Sequence, residues 1–258
     1  MKKFLSLLMI LCLMCGLLVS CTGETADTAE ELISKADEVL KDAPYTVTMK
    51  LDFDCDNAEV NQFLSAMNME IPVTIDGENL SMVMSMEMMG ESFSATATVV
   101  DKVMYYDVTV SGENVKMKAS MTDEQYKDFM ENQNTANMMV NPEDFGTLNV
   151  ENKDGKKHIA CGEITEAGLK KINDSVAESL RALDGEAKFS NISYEIVLKD
   201  GKYESMILDC DYEVSVEGLT VKIDYKISAE YTYEGVEAIV APADAADYTE
   251  VGYDDIMG

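Results

Sequence analysis

The chain has 258 residues, with 49 acidic against 20 basic side chains and a formal net charge of −29. This balance excludes nucleic acid as an expected partner, because binding to phosphates requires clustered lysine and arginine side chains. The length suffices for one large core, and no Pro/Gly/Ser-rich linker divides the sequence, so we expect a single domain after the first 27 residues.

The first 20 residues have the order of a bacterial signal peptide. Lys2 and Lys3 precede an apolar run, which is too short to predict a membrane span. The run ends in a four-residue motif that resembles the lipobox of bacterial lipoproteins, Leu18-Val19-Ser20-Cys21. This resemblance implies that the thiol of Cys21 is joined to diacylglycerol and that residues 1–20 are then removed. An ordinary signal peptide with a chance cysteine, or an uncleaved anchor helix, is the alternative.

Residues 21–27 are polar and lack aromatic side chains, so we expect a lipidated tether between the membrane and the folded domain. Two or three acyl chains on one cysteine would anchor the chain stably, because each buried methylene contributes about 0.8 kcal/mol. Without the leader the chain has 18 basic and 49 acidic residues, a formal charge of −31. Such a charge opposes docking on anionic lipid. We therefore expect a body held at the extracytoplasmic face of the cell membrane by its lipid anchor.

Three cysteines remain once the leader has left and Cys21 is lipidated. Cys55 and Cys210 fall on the apolar faces of predicted strands, and Cys161 is the third. Buried thiols that pack as small hydrophobic side chains are the favoured interpretation. A single disulfide between two of the three is left open.

A Thr-x-x-Glu capping box formed by Thr28 and Glu31 predicts the start of a first helix. Its apolar residues recur at helical spacing, and the helix is expected over residues 29–41, ended by Pro44. Residues 45–55 then alternate apolar and polar side chains, which predicts a strand with one buried face.

The same alternation returns later and predicts further strands, each with one buried face. Two-residue turn sequences, Asp200-Gly201 and Glu217-Gly218, predict hairpins between the last of these strands. The final strand is long, so the sheet must twist and coil strongly. The expected strands cover residues 80–88, 93–99, 115–121, 194–199, 206–216 and 219–233.

Two further helices are expected. A Thr-x-x-Gln capping box at Thr122 begins a short helix that carries Tyr126 and Phe129. A longer helix, over residues 165–183, repeats apolar side chains at spacings of three and four. A sheet with one apolar face must cover that face. We therefore predict an α+β fold for residues 28–258, a strongly curved antiparallel sheet whose concave face is covered by the helices.

Several features of the chain occur together in one type of bacterial carrier lipoprotein. They are the lipobox, the first helix ahead of Pro44-Tyr45, the methionine-rich strands, the long closing hairpins, and the stretches VMYYDV at 103–108 and MTDEQY at 121–126. The chain resembles the LolA/LolB/LppX type, including uncharacterised Gram-positive lipoproteins. The resemblance implies an open half-barrel in which the space between sheet and helices receives acyl chains. One carrier of this type uses a cavity arginine for acyl-chain release, whereas the only arginine here, Arg181, falls on the predicted solvent face of the third helix.

The resemblance implies a cavity for a hydrophobic ligand, an acyl chain, a lipid or a lipoprotein, and the alternation indicates which side chains would line it. Methionines suit such a site, because the thioether side chain is flexible and adapts to varied alkyl groups. The alternative is an acidic module that binds another cell-envelope protein and has a packed core without ligand. The predicted lining consists of Val47, Met49, Leu51, Phe53, Met82, Met84, Met86, Ile223, Tyr225 and Ile227.

We find no catalytic constellation in the sequence, and we expect neither an enzyme nor a cofactor or metal. His158 is the only histidine, and we expect it to be exposed and without function. The acidic alternation that starts at Asp52 resembles a calcium loop, but Asn57 and Phe63 stand where glycine and glutamate are required. Weak cation binding across neighbouring strands, or Cu(I) binding by the methionines, is a minor alternative to a solvated acidic face and to core packing.

Overall fold

The computed structural model describes residues 28–57, 61, 69–88, 91–133, 144, 146, 148–161, 164–180, 185–216 and 219–257. The expectations for the leader, for Cys21 and the tether, for Arg181 and for the turn at residues 217–218 lie outside these residues. The described chain has an α+β fold, built on a sheet of 12 strands that is open, with β12 and β7 at its two edges.

Six consecutive strands precede the second helix, and three long strands follow the third helix. In chain order, the elements are α1 (Ala29–Asp42), β1 (Tyr45–Cys55), β2 (Met69–Asp76), β3 (Asn79–Met88), β4 (Glu91–Val100), β5 (Val103–Val110), β6 (Glu113–Ser120), α2 (Asp123–Gln133), β7 (Leu148–Lys153), β8 (Lys156–Cys161), α3 (Glu166–Leu180), β9 (Gly185–Lys199), β10 (Lys202–Val216), β11 (Leu219–Thr232), a 3₁₀ turn (Ala245–Asp247), β12 (Thr249–Glu250) and α4 (Tyr253–Met257).

The sheet has two antiparallel halves that meet at β1. The strand order is β12-β6-β5-β4-β3-β2-β1-β11-β10-β9-β8-β7, and the pairing of β1 with β11 joins the two halves. All described pairs are antiparallel except the short parallel pair of β12 with β6. The topology therefore places the first strand of the domain in the middle of the sheet, with the last long strand beside it.

Tight two-residue turns connect several pairs of neighbouring strands in the described part of the chain. The predicted hairpin at Asp200-Gly201 is confirmed, because both residues have positive φ angles, 52° and 76°, as a type I′ turn requires. Equivalent turns occur at residues 101–102, 111–112 and 154–155. The sequence analysis did not single these out, although Asp154-Gly155 repeats the Asp-Gly sequence of residues 200–201.

The predicted helix starts are confirmed by their capping bonds. The Thr28 hydroxyl accepts a hydrogen bond from the Glu31 N–H at 3.4 Å. Thr122 and Gln125 form the reciprocal capping box, at 2.9 and 3.2 Å. The third helix begins one residue after the predicted start, and Thr165 caps it.

The period-two pattern correctly predicts the buried face of most strands, and it fails near the β6 edge. Val115 was expected on the buried face of its strand, but it is 52% exposed, and β12 pairs only with Met117 and Lys118 of β6. The sequence analysis also missed β2, although its side chains alternate between buried and more exposed positions and Pro72, which lacks a backbone donor, falls on the more exposed side.

Each of the three longer helices contacts the sheet. On α1, Ile33 and Leu40 are buried in the core, and on α2 the side chain of Phe129 is buried. On α3, the Asn173 side chain accepts a hydrogen bond from the backbone N–H of Phe189 at 2.6 Å. α1 and α2 therefore contribute side chains to one buried core, and α3 is hydrogen-bonded to β9.

Three aspartates form a row across the exposed face of the central strands. Asp224 on β11 lies opposite Asp54 on β1 and opposite Asp211 on β10. The pKa of Asp224 is raised, first by partial desolvation and then by the charges of Asp211 and Asp54. Like charges directly opposite each other in a sheet are destabilising.

Asp224→Asn is expected to stabilise the fold by roughly 0.3 kcal/mol at neutral pH and low salt. Because the folded state raises the pKa of Asp224, the ionised carboxylate costs stability, and this cost develops as the pH rises through that pKa. Asp52→Asn is the matched control, since Asp52 on the neighbouring strand β1 lies opposite Lys226 of β11 and its removal should cost stability. Urea unfolding at low and high salt measures both effects. A loss of stability in Asp224→Asn would contradict this expectation.

Candidate ligand-binding site

The structure places the ten residues of the predicted lining on one face of the sheet. Leu51 lies opposite Ile227 and Phe53 lies opposite Tyr225, so β1 and β11 contribute to one continuous strip. Met82 on β3 lies opposite Val73 on β2, and Val73 lies opposite Val47 on β1, so β3 belongs to the same strip. The alternation therefore correctly groups these residues, which are far apart in sequence.

The strip is packed where the structure describes it. Nine of the ten side chains are between 0% and 9% exposed, and Met82 is partly buried. The rings of Phe53 and Tyr225 stack with their centroids 4.7 Å apart. Their burial agrees with the predicted inner face, and their role in binding a ligand stays a prediction.

A pocket of about 470 Å³ lies at one end of this strip. Tyr45 and Ile75 form part of its wall and lie opposite each other, in line with Val47 and Val73. Among the lining residues that the structure describes, none belongs to the predicted set. The lining consists of Leu40, Lys41, Tyr45, Ile75, Gly77, Glu78, Lys102, Tyr126, Lys127 and Met130.

Contacts between α2 and two β-turns hold the pocket wall in place. The hydroxyl of Tyr126 donates a hydrogen bond to the backbone carbonyl of Glu78, in the turn between β2 and β3. In the turn between β4 and β5, Lys102 has a φ of 63°, and its ammonium lies 2.8 Å from the Asp123 carboxylate. The same ammonium is 5.9 Å from the centre of the Tyr126 ring. The capping box at Thr122 thus positions the residues that form this wall.

The pocket differs in charge from the rest of the chain. Its lining contains three lysines, Lys41, Lys102 and Lys127, and one acidic residue, Glu78. The pKa of Lys102 is raised, first by its hydrogen bond to Asp123, then by the charge of Asp123 and more weakly by Glu78. Burial raises the pKa of Tyr126, and Glu78 adds to this shift. The arrangement combines an apolar floor with a positively charged rim.

Sequence reasoning missed this pocket. Its lysines are about 60 and 25 residues apart along the chain, so no local spacing connects them. The one available signal was the capping box, which fixes where Tyr126 and Lys127 lie on α2. Their meeting with Lys41 and Lys102 depends on contacts between elements that are distant in sequence.

The described cysteines and the histidine give no sign of a reactive centre. Cys55 and Cys210 are buried and free, as expected, and burial raises the pKa of Cys210 to about 12. The side chain of Cys161 lies outside the described part. The expectation of an exposed His158 is wrong, because its ring is partly buried and its Nδ1 lies 2.8 Å from a carboxylate oxygen of Glu195 on the neighbouring strand.

The described residues contain neither a metal-binding cluster of acidic, histidine or cysteine side chains nor a helix suited to cross a membrane. No group of three or more histidine, cysteine, aspartate or glutamate side chains there is arranged to hold a metal ion. No helix within the described ranges has the length and apolar character that a membrane crossing requires.

Comparison with known proteins gives one family. No curated protein matches the chain. The structure of the ywiB protein from Bacillus subtilis is 10% identical and covers 73% of this chain and 91% of that chain, with a TM-score of 0.19. The structure of MucB in complex with MucA(peri) is 9% identical and covers 83% and 100%, with a TM-score of 0.11. Likenesses this weak carry no argument. The model of the family of unknown function DUF6612 matches residues 28–250, and the chain belongs to that family.

Proposed function

We propose that this protein is a bacterial lipoprotein, anchored through Cys21 to the extracytoplasmic face of the cell membrane, that binds a hydrophobic ligand between its sheet and its helices. The ligand is an acyl chain, a lipid or a lipoprotein. The observation that carries the proposal is the pocket of about 470 Å³ at the end of the apolar strip. Its volume lies within the range of about 300–1,000 Å³ that small-molecule sites occupy.

The proposal includes a half-barrel of the LolA/LolB/LppX kind, with the helices over the concave face of the sheet. The open strand order and the buried apolar side of α1 support it. An alkyl chain that enters beside Tyr45 and Met130 would continue along the strip, where flexible methionine side chains can move aside. Affinity would come from apolar burial, at about 25 cal/mol per Å².

Native mass spectrometry of gently extracted protein, together with uptake of a fluorescent fatty acid, tests the binding proposal. Met130→Trp should fill the pocket from α2 and weaken uptake by about tenfold. Val115→Trp is the matched control, because Val115 is exposed and lies away from the pocket. A ligand-free mass combined with no uptake by the unmodified protein would remove the proposal.

Substitution of Cys21 tests the proposed lipid anchor. Cys21→Ser should abolish acylation and cleavage after residue 20, because serine has no thiol to receive diacylglycerol. Cys15→Ser, in the leader, should be acylated and processed normally. Metabolic labelling with palmitate and intact-mass measurement of the membrane fraction distinguish the two variants. Acylation that persists in Cys21→Ser would show that the anchor is assigned to the wrong residue.

A second candidate is an acidic cell-envelope module that binds another protein and carries no ligand. The tight burial of nine strip residues favours it, as does the exposed row of Asp54, Asp211 and Asp224. Cross-linking on intact cells that captures one partner, combined with a ligand-free native mass, would support this candidate over the first.

A further inference from the structure

We infer that the pocket takes the oxyanion head of an amphiphile, with Lys41, Lys102 and Lys127 around the head and the apolar floor around the start of the chain. The inference rests on the proposed function, since it names the ligand class of the same pocket. The juxtaposition that supports it is that these three lysines line the same pocket as the apolar residues Leu40, Tyr45, Ile75 and Met130.

The charge of the rim runs against that of the whole protein. The chain has more than two acidic residues for every basic one, whereas the lining has three lysines to one glutamate. A concave site lined by one sign of charge raises the local concentration of ligands of the opposite sign. In a chain with a formal net charge of −29, a lining with more lysines than acids favours an anion.

A ligand can replace Asp123 as the ion-pair partner of Lys102 with only a small loss of free energy. The Asp123 side chain is 92% exposed, so water screens its ion pair with Lys102. A ligand oxyanion that reaches into the pocket would be less hydrated and would compete with this carboxylate. The Tyr126 hydroxyl already donates to the Glu78 carbonyl, so we assign it to the wall of the pocket and not to the head.

The residue type limits the specificity for the head. Lysine ammonium groups act as point charges, whereas arginine selects planar oxyanions through paired hydrogen bonds. No arginine is among the lining residues that the structure describes. Carboxylate and phosphate heads share the required chemistry, and the experiment below separates fatty acids from phosphate-bearing lipids.

Calorimetric titration of the purified full-length protein with dodecanoate, dodecyl phosphate and dodecanol tests the inference. We expect at least one of the two anions to bind about tenfold more tightly than dodecanol. Lys102→Gln should weaken the anion about threefold, and the triple variant with Lys41→Gln and Lys127→Gln should abolish the preference over dodecanol. Tighter binding of dodecanoate would indicate a fatty acid as the ligand, and tighter binding of dodecyl phosphate would indicate a phosphate-bearing lipid.

Two lysines provide matched controls. Lys50 forms an ion pair with Glu70 at 2.7 Å, comparable to that of Lys102, and Lys35 lies exposed on the same helix as Lys41; neither lines the pocket. Lys50→Gln and Lys35→Gln should leave all three affinities unchanged. Equal weakening by Lys50→Gln and Lys102→Gln would overturn the inference, because the effect would then reflect net charge alone.

The possible results distinguish a failure of the head-group inference from a failure of the proposed hydrophobic site. If dodecanol binds as tightly as both anions and the lysine variants change nothing, the head-group inference is wrong while the proposed hydrophobic site survives. If none of the three binds, both are wrong. A preference for the anion that disappears in the triple variant and weakens with added salt supports the inference.

Discussion

Tyr248→Ala is expected to lower the free energy of unfolding by about 3 kcal/mol and to make the protein prone to aggregation. Tyr248 is only 7% exposed, although it lies in the C-terminal segment after the last long strand. Its ring meets that of Tyr105 edge-on, with centroids 5.4 Å apart, and lies 5.5 Å from the Lys116 ammonium. Alanine would remove all of these contacts at once.

The C-terminal segment contacts strand β6 through other residues besides Tyr248. Lys116 forms an ion pair with Asp244, and the Lys118 ammonium donates to the carbonyl of Ala245 at 3.0 Å. The Val251 N–H donates to the Lys118 carbonyl at 2.9 Å, which extends the short pairing of β12 with β6. Because an uncovered edge strand offers free backbone groups to other chains, loosening this segment should favour intermolecular pairing.

Two substitutions separate the ring from the rest of the segment. Tyr248→Phe keeps the ring and should cost much less than alanine, and Val240→Ala, at a residue 72% exposed, should have little effect. Urea unfolding gives the stabilities, and light scattering of the native protein reports aggregation. Equal stability of Tyr248→Ala and the unmodified protein would mean that the segment does not stabilise the sheet.

The sequence best predicted the elements whose local pattern of apolar residues agrees with their packing in the core. In β1, strict alternation from Tyr45 to Cys55 matches the burial of every second side chain. In α1, a capping box at Thr28 precedes an apolar stripe that packs in the core. At these positions the chain's own periodicity determines which side faces the core.

The elements that the sequence missed depend on distant partners. The C-terminal segment has no alternation or helical stripe, and its order comes from contacts of Tyr248 and Asp244 with strands about 130 residues earlier. The pocket was missed for the same reason. Alternation identifies the inner face of a sheet, but an empty volume depends on the sizes of side chains that arrive from other elements, here Lys41 and Tyr126 from two helices.

The second large effect is expected from a hydrogen bond to Asp37, a partly buried acid on α1. The Tyr203 hydroxyl on β10 donates a hydrogen bond of 2.7 Å to the Asp37 carboxylate on α1. Tyr203 is among the most deeply buried side chains, and its ring lies 5.4 Å from that of Tyr231. Burial raises the pKa of Asp37, while the bond from Tyr203 and the charge of Lys41 partly offset this shift.

The sign of the pH dependence follows from this shift. The folded state holds a proton on Asp37 more tightly than the unfolded state does, so the stability from this group is present at acidic pH and is lost as the pH rises through the raised pKa. At neutral pH the ionised Asp37 therefore costs stability, and its bond from Tyr203 reduces that cost. Asp37→Asn should be at least as stable as the unmodified protein at neutral pH and should lose this part of the pH dependence.

Tyr203→Phe is expected to cost about 2 kcal/mol at neutral pH, because it leaves a partly buried carboxylate without its donor. The pKa of Asp37 should then rise further, since the bond from Tyr203 lowers it in the unmodified protein. The cost of Tyr203→Phe should therefore shrink as the pH falls and Asp37 becomes protonated. Urea unfolding of the single and double variants between neutral and mildly acidic pH measures this. A cost that is independent of pH, or that is unchanged when Asp37→Asn is also present, would show that the two groups are not coupled.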